Sequence, residues 1–218
     1  MDPFSASAVR EAYDTVAADY EKAFGDDLAQ LPLDREMLDA ALAAATGPGW
    51  VLEAGCGPGP AAGYLAGRAA RLLGIDLSGA MLNVAGARTA GLLLAQADIR
   101  HLPLRDASCR LVIAYYSLQH LPRADLGSAM AEFRRVLAGE GRLVLATHLG
   151  VGEAHIDEFL GHRVRTFAGA YHRRDEIVGL LASAGFEVEL ERQRGPLPHE
   201  TNSQRIYVLA RRSSDLVE

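Results

Sequence analysis

Val51-Leu52-Glu53-Ala54-Gly55-Cys56-Gly57-Pro58-Gly59-Pro60 is the stretch on which the reading of this chain turns. An apolar run enters a glycine-rich turn, and a helix candidate follows over about 60–69. Glycine lets the backbone turn tightly and come close to a ligand. The helix N-terminus beyond the turn offers free N–H groups. Open α/β sheets hold ligands at the carboxyl ends of their strands, near the point where strand order reverses. The spacing is G-x-G-x-G. The dinucleotide fingerprint, G-x-G-x-x-G/A, would place its third position on Pro60, which counts against a nicotinamide or flavin cofactor. The bland alternative is a turn that merely tightens a strand–helix join.

Working outward, short apolar runs predict strands near 50–54, 71–76, 92–96, 111–115 and 141–148. Helix candidates lie between them at about 60–69, 78–88 and 125–138, the last with an apolar stripe of Leu126, Met130, Phe133 and Leu137. This alternation implies a parallel sheet covered on both faces. Upstream, residues 1–48 read as helical. Val9, Tyr13, Val16, Ala17 and Tyr20 keep helical spacing, and a second helix is expected to start at Asp34 as its N-cap. Downstream, 149–172 breaks the rhythm with four glycines among His and Arg, and reads as an irregular or partly helical insertion. A helix at about 174–184 ends at Gly185. Phe186–Glu191 and Arg205–Ala210 are too close for a helical crossover, so they should pair antiparallel. The fold expected is a doubly wound α/β domain of seven strands, Rossmann-like, with helices on both faces and the last strand antiparallel.

Composition fits this reading. The chain has 218 residues, 49% hydrophobic and 23% charged, enough for a substantial core and inconsistent with general disorder. Its formal charge of −6 disfavours nucleic acid and anionic membrane as partners. Two isolated cysteines, Cys56 and Cys109, make neither a metal set nor a disulfide framework, and point to a reduced, cytoplasmic setting. The first residues lack signal-peptide character, and no apolar run reaches the ~18 residues of a membrane span.

Further residues carry chemistry. Leu72-Leu73-Gly74-Ile75-Asp76 ends in an acid 19 residues after Gly57, where a carboxylate can accept both hydroxyls of a ribose. Ser78 reads as a helix cap. Met81 can lie on a flat adenine face, or can be plain core. Asp98, at the third strand tip, can accept from an adenine amino group. The fourth strand candidate runs into Tyr115-Tyr116-Ser117-Leu118-Gln119-His120.

Together these features resemble the class I S-adenosylmethionine-dependent methyltransferases, closely over about 50–148 and more loosely elsewhere, with the C-terminal part similar to small actinobacterial-type members. The resemblance implies S-adenosylmethionine as cofactor and S-adenosylhomocysteine as product. It implies that Glu53, Gly55, Gly57 and Gly59 form the methionine-side loop, that Asp76 holds the ribose, and that Leu77 and Met81 flank the adenine. Asp98 and Ile99 would meet its edge and face, and Tyr115 would line the floor near the sulfonium. Tyr13 and Tyr20 resemble the family's lid tyrosines, so 1–48 is expected to form a helical lid. Residues 49–212 are expected to form the methyltransferase domain, with 149–172 inserted on the substrate side, and 213–218 a tail. Two departures stand out. Cys109-Arg110 replaces the usual Phe-Asp, and Gly139-Glu140-Gly141 the usual Pro-Gly-Gly. Both are expected to be local.

Methyl transfer from a sulfonium needs proximity and a dry site more than added activation. No metal is expected. His120 is the leading candidate for a general base, His148 the second, and Tyr116 is expected to orient the substrate. The function expected is methylation of a small molecule at oxygen or nitrogen rather than carbon. Nucleic-acid amines are disfavoured, because Ala114-Tyr115-Tyr116-Ser117 stands where such enzymes carry Asn- or Asp-Pro-Pro-aromatic. The rivals are a non-catalytic S-adenosylmethionine-binding protein and, less favoured, an NAD(P)-dependent reductase.

Overall fold

The computed structural model describes residues 2–25, 27–198 and 200–213. The chain opens with α1 (Ala6–Phe24), the one-turn α2 (Asp27–Gln30) and α3 (Pro32–Ala44). Strands and helices then alternate as β1 (Trp50–Ala54), α4 (Pro60–Leu65), β2 (Leu72–Asp76), α5 (Gly79–Arg88), β3 (Leu93–Gln96) and β4 (Cys109–Tyr115). After two short 3-10 turns come α6 (Leu126–Val136), β5 (Leu137–Leu149), β6 (Glu153–Phe159), β7 (His162–Ala170), α7 (Arg174–Ser183), β8 (Phe186–Arg194) and β9 (Gln204–Arg212).

Seven strands form one sheet in the order β3-β2-β1-β4-β5-β9-β8. β3 through β5 are parallel, and β9 runs antiparallel between β5 and β8. Order reverses between β1 and β4, which puts the crevice for a ligand at their carboxyl ends. Alternate residues of each strand point to opposite faces. Leu52, Val112, Leu143 and Val208 pack under α6 and α7 with Met130, Phe133, Ile177 and Leu181. Val51, Leu111, Val144 and Leu209 pack under α3 and α4 with Met37, Leu38, Ala61 and Leu65.

Three expectations are corrected. Asp34 is not an N-cap: Pro32, with its preset φ, starts α3 after Leu31, and Asp34 lies in the first turn, buried, with its carboxylate used elsewhere. The 149–172 stretch is neither irregular nor helical, because β6 and β7 form an antiparallel hairpin. Its two-residue turn is Leu160-Gly161, both at positive φ (51° and 79°), the combination of a type I′ turn. Leucine in the first place of that turn hides it from sequence reading. α4 stops at Leu65 rather than 69, since Ala66 is extended and Gly67 left-handed. The Cys109-Arg110 departure starts β4 early: Cys109 is buried and pairs with Trp50 and Leu137, with the register shifting just after it. Glu140, in the second departure, sits at φ 62°. Of the expected tail only Ser213 lies within the described residues.

Candidate active site

The glycine turn leaves β1 with Gly55 at φ 78°, Gly57 at 50° and Gly59 at 78°. The N–H groups of Gly55 and Cys56 both donate to the Ile75 carbonyl, binding the turn to β2. A Cβ on Gly55 would collide with the Ser117 side chain, whereas one on Gly57 would meet nothing within 4 Å. Gly57 therefore opens a cradle of free space, while Gly59 serves as the N-cap of α4 against Ala85 and does not line the cavity. Glu53 is 3% exposed, and its carboxylate accepts from the Ala62 N–H at 2.7 Å, in the first turn of α4. Burial pushes its pKa up to about 8.

Asp76 ends β2 with its carboxylate accepting from the N–H groups of Gly57 and Ser78, each at 2.8 Å. Burial raises its pKa, and those two bonds oppose the shift. Ser78 caps α5 as expected, accepting from the Met81 N–H at 3.1 Å. Its own hydroxyl donates at 2.6 Å to Asp14 of α1, which also accepts from the Ala80 N–H. Asp14 was not apparent in the sequence, since nothing local marks a helix residue that caps another helix. Met81 is buried and, with Leu77 and Ile99, lines the cavity. Asp98 is clamped by Arg100, whose guanidinium donates to both of its oxygens and also reaches Asp125. Burial works to raise the Asp98 pKa, but Arg100 overrides it and holds the carboxyl below its ordinary value.

These groups line one end of a cavity of about 540 Å³ at the β1/β4 crevice. The other end is built by the tips of β4 and β5. Tyr116 sits there at φ 53°, a conformation that costs a non-glycine residue strain. Its hydroxyl is 2.8 Å from that of Tyr207 on β9. Tyr207 donates its proton to buried Asp34 at 2.8 Å and accepts from Arg194 Nε at 3.0 Å. Tyr116 must therefore donate to Tyr207, which leaves its own oxygen with lone pairs only. Tyr115 donates to the Asp34 carbonyl at 3.2 Å. Burial raises the Asp34 pKa against the Tyr207 bond. Arg194 also pairs with Glu200, and Glu200 lies 3.5 Å from buried Arg205. This network joins α3 and β4 to the consecutive strands β8 and β9 far along the chain, so no local pattern in the sequence marks it.

His148 packs on the Tyr116 ring at 5.3 Å and shares a 2.7 Å hydrogen bond with Ser203. Burial, with the charge of Arg205 beside it, lowers its pKa to about 4. His120 lies 2.8 Å from the Tyr13 hydroxyl and 3.1 Å from the Ala168 carbonyl, and burial lowers its pKa. Tyr13 and Tyr20 of α1 close the cavity with Phe159 and Phe167 of the hairpin, ring centroids 5.6–6.1 Å apart. Three buried polar atoms of residues on the wall, Ser117 Oγ, Gln119 Oε1 and Arg205 Nε, have no partner. Among the described residues no group of three metal-ligating side chains converges, and no helix is long and apolar enough to cross a membrane.

The methyltransferase-domain family matches residues 52–145. A malonyl-[acyl-carrier protein] O-methyltransferase of Geobacter sulfurreducens is 33% identical over 195 residues, covering 82% of this chain and 69% of that protein. A probable S-adenosylmethionine-dependent methyltransferase of Mycolicibacterium smegmatis is 33% identical over 143 residues, covering 64% and 52%. The chain spans about half the length of several curated relatives that it matches. Among solved structures, Burkholderia thailandensis 1,6-didemethyltoxoflavin-N1-methyltransferase, with 1,6-didemethyltoxoflavin and S-adenosylhomocysteine bound, superposes with a TM-score of 0.72. The two are 18% identical, over 96% of this chain and 89% of that one.

Proposed function

The chain belongs to the class I S-adenosylmethionine-dependent methyltransferase family, and from that premise we propose that it methylates a small molecule at oxygen or nitrogen. One observation carries the reading. A single cavity runs from the Gly57–Asp76 corner to Tyr116, His120 and His148, between aromatic walls. The corner fits the cofactor: Asp76 offers an acceptor carboxylate for ribose, Gly57 leaves room beside it, and the unpartnered Ser117 and Gln119 atoms lie on the same wall. Bound there, the cofactor supplies an electrophilic methyl group. The protein's part is to orient the acceptor and exclude water.

Helices α1–α3 are read as the lid and the β6–β7 hairpin as the acceptor-side wall. Tyr116, with only lone pairs to offer, suits an acceptor that carries an N–H or O–H donor. A free small molecule is favoured over a carrier-protein-bound one because three arginines on the hairpin and at the start of α7 already face carboxylates of this chain. Arg165 pairs with Glu11, Arg173 with Asp175 and Arg174 with Glu191.

Calorimetric titration with S-adenosylmethionine, S-adenosylhomocysteine and NADH tests the reading, followed by S-adenosylhomocysteine release over a panel of phenols and amines. Micromolar binding of both sulfur ligands and none of NADH is expected. Asp76→Ala should weaken binding by about 1–3 kcal/mol, the loss of charge-assisted hydrogen bonds. Absence of sulfur-ligand binding would sink the proposal. Tight binding without turnover on any acceptor would favour a non-catalytic binder.

A further inference from the structure

We infer that Tyr13 is the group that takes the acceptor's proton, with His120 as the base behind it. The inference rests on the methyl-transfer reading above. Its ground is the hydrogen-bond accounting around His120. The Ala168 carbonyl can only accept, so the proton of the neutral ring is on Nδ1, 3.1 Å away. The lone pair is then on Nε2, and the Tyr13 hydroxyl covers it at 2.8 Å. Gln119 Nε2 stands farther off, at 3.4 Å from the same nitrogen. An acceptor in the cavity therefore cannot reach the basic nitrogen. It can reach the Tyr13 oxygen, whose single proton points at Nε2 and whose lone pairs remain.

Packing fixes this arrangement. The Tyr13 ring meets the rings of His120, Tyr20 and Phe159 edge-on and Phe167 at a tilt, with centroids at 5.3–6.1 Å. Burial, together with the nearby Tyr20 and Asp76, keeps the phenol protonated at ordinary pH. Burial lowers the pKa of both histidines, that of His148 to about 4. The proton path balances. The acceptor's bond to the methyl carbon forms as the carbon–sulfur bond breaks, and that electron pair stays on sulfur as the thioether. The acceptor's proton passes to the Tyr13 oxygen, and Tyr13's own proton passes to His120 Nε2. The positive charge lost at sulfur ends on the imidazolium, whose Nδ1–H still donates to Ala168.

The test uses 15N-histidine NMR on the full chain, free and with S-adenosylhomocysteine, in the wild type and Tyr13→Phe. The expected result is a neutral Nδ1–H tautomer of His120, with an Nε2 resonance that moves in Tyr13→Phe. A kinetic arm follows conversion of S-adenosylmethionine with 4-nitrocatechol and tyramine as probe acceptors. Tyr13→Phe and His120→Gln should each lower kcat by ~100-fold or more, the usual range for a lost proton transfer. The double variant should be no slower than either single one, and the cofactor Kd of Tyr13→Phe should stay within about threefold. An Nε2–H tautomer, or an Nε2 resonance indifferent to Tyr13→Phe, would overturn the inference. So would a Tyr13→Phe enzyme that keeps its kcat while His120→Gln loses it. If neither probe is turned over, the tautomer decides alone. Failure of S-adenosylhomocysteine to bind would remove the methyl-transfer reading instead, since the tautomer is read in the free protein as well.

Discussion

Two glycines of one turn have different reasons to be glycine. Gly55 needs both its left-handed φ and the space that Ser117 leaves, so Gly55→Ala adds a collision to backbone strain. Gly57 faces open space, so Gly57→Ala carries strain alone. Urea unfolding of the free protein should show a loss of about 2–4 kcal/mol for the first and about 1–2 kcal/mol for the second. Equal losses would mean that Ser117 yields freely. Glu53 makes a second expectation. With its pKa at about 8 it is mostly protonated at pH 7 in the free protein. A cationic cofactor group beside it would ionise it, so binding near pH 7 should release a proton. Affinity should then rise as pH increases towards 8 and level off above, where the free carboxyl is already ionised. Titration enthalpies in Tris and phosphate should differ in the wild type and coincide in Glu53→Gln.

Elements are held by contacts that cross the sequence. α1 is docked on α5 through Asp14, which takes the Ser78 hydroxyl and the Ala80 N–H at the N-terminus of α5. It is docked on the hairpin through Ala8, Val9 and Ala12 against Phe167. Because Asp14 is largely exposed, Asp14→Ala should cost only about 1 kcal/mol, within the range of a single cap or hydrogen bond. Hydrogen exchange over 6–24 should accelerate about fivefold while β1 and β4 stay protected. An unchanged α1 would mean that the apolar contacts alone hold it. The hairpin also shows why an element can be misread: its strands are rich in polar and charged residues, and its turn has leucine where Asn or Asp is the usual signal.

Across the whole molecule, Asp34 near the start of the chain is joined to Tyr207 near its end, and through Tyr207 to Tyr116 and Arg194. Asp34 and Tyr207 are both buried, so Tyr207→Phe leaves a carboxylate and a guanidinium short of a partner. Destabilisation of about 1–3 kcal/mol is expected in thermal or urea unfolding. Tyr116, freed of its partner, should also position acceptors less well, raising the KM for the acceptor more than the Kd for the cofactor. An unchanged midpoint would show that Arg194 satisfies Asp34 unaided.

The sequence by itself determined the sheet, the glycine turn and the Asp76 corner. Each rests on short-range signals: apolar runs of strand length, glycines where φ turns positive, and an acid at a strand tip. The left-handed Gly55 and Gly57 and the strand-tip Asp76 were legible for that reason, as were the antiparallel last strand and the Ser78 cap. Tertiary structure alone decided how the far end of the cavity is wired. Asp34 looked like a helix cap because local sequence cannot show a hydroxyl 173 residues away. His120 looked like a free base because nothing near it in sequence reveals that Tyr13, 107 residues upstream, covers its lone pair. Hydrogen bonds between distant side chains leave no periodicity in the chain, and only the folded sheet brings their partners within reach.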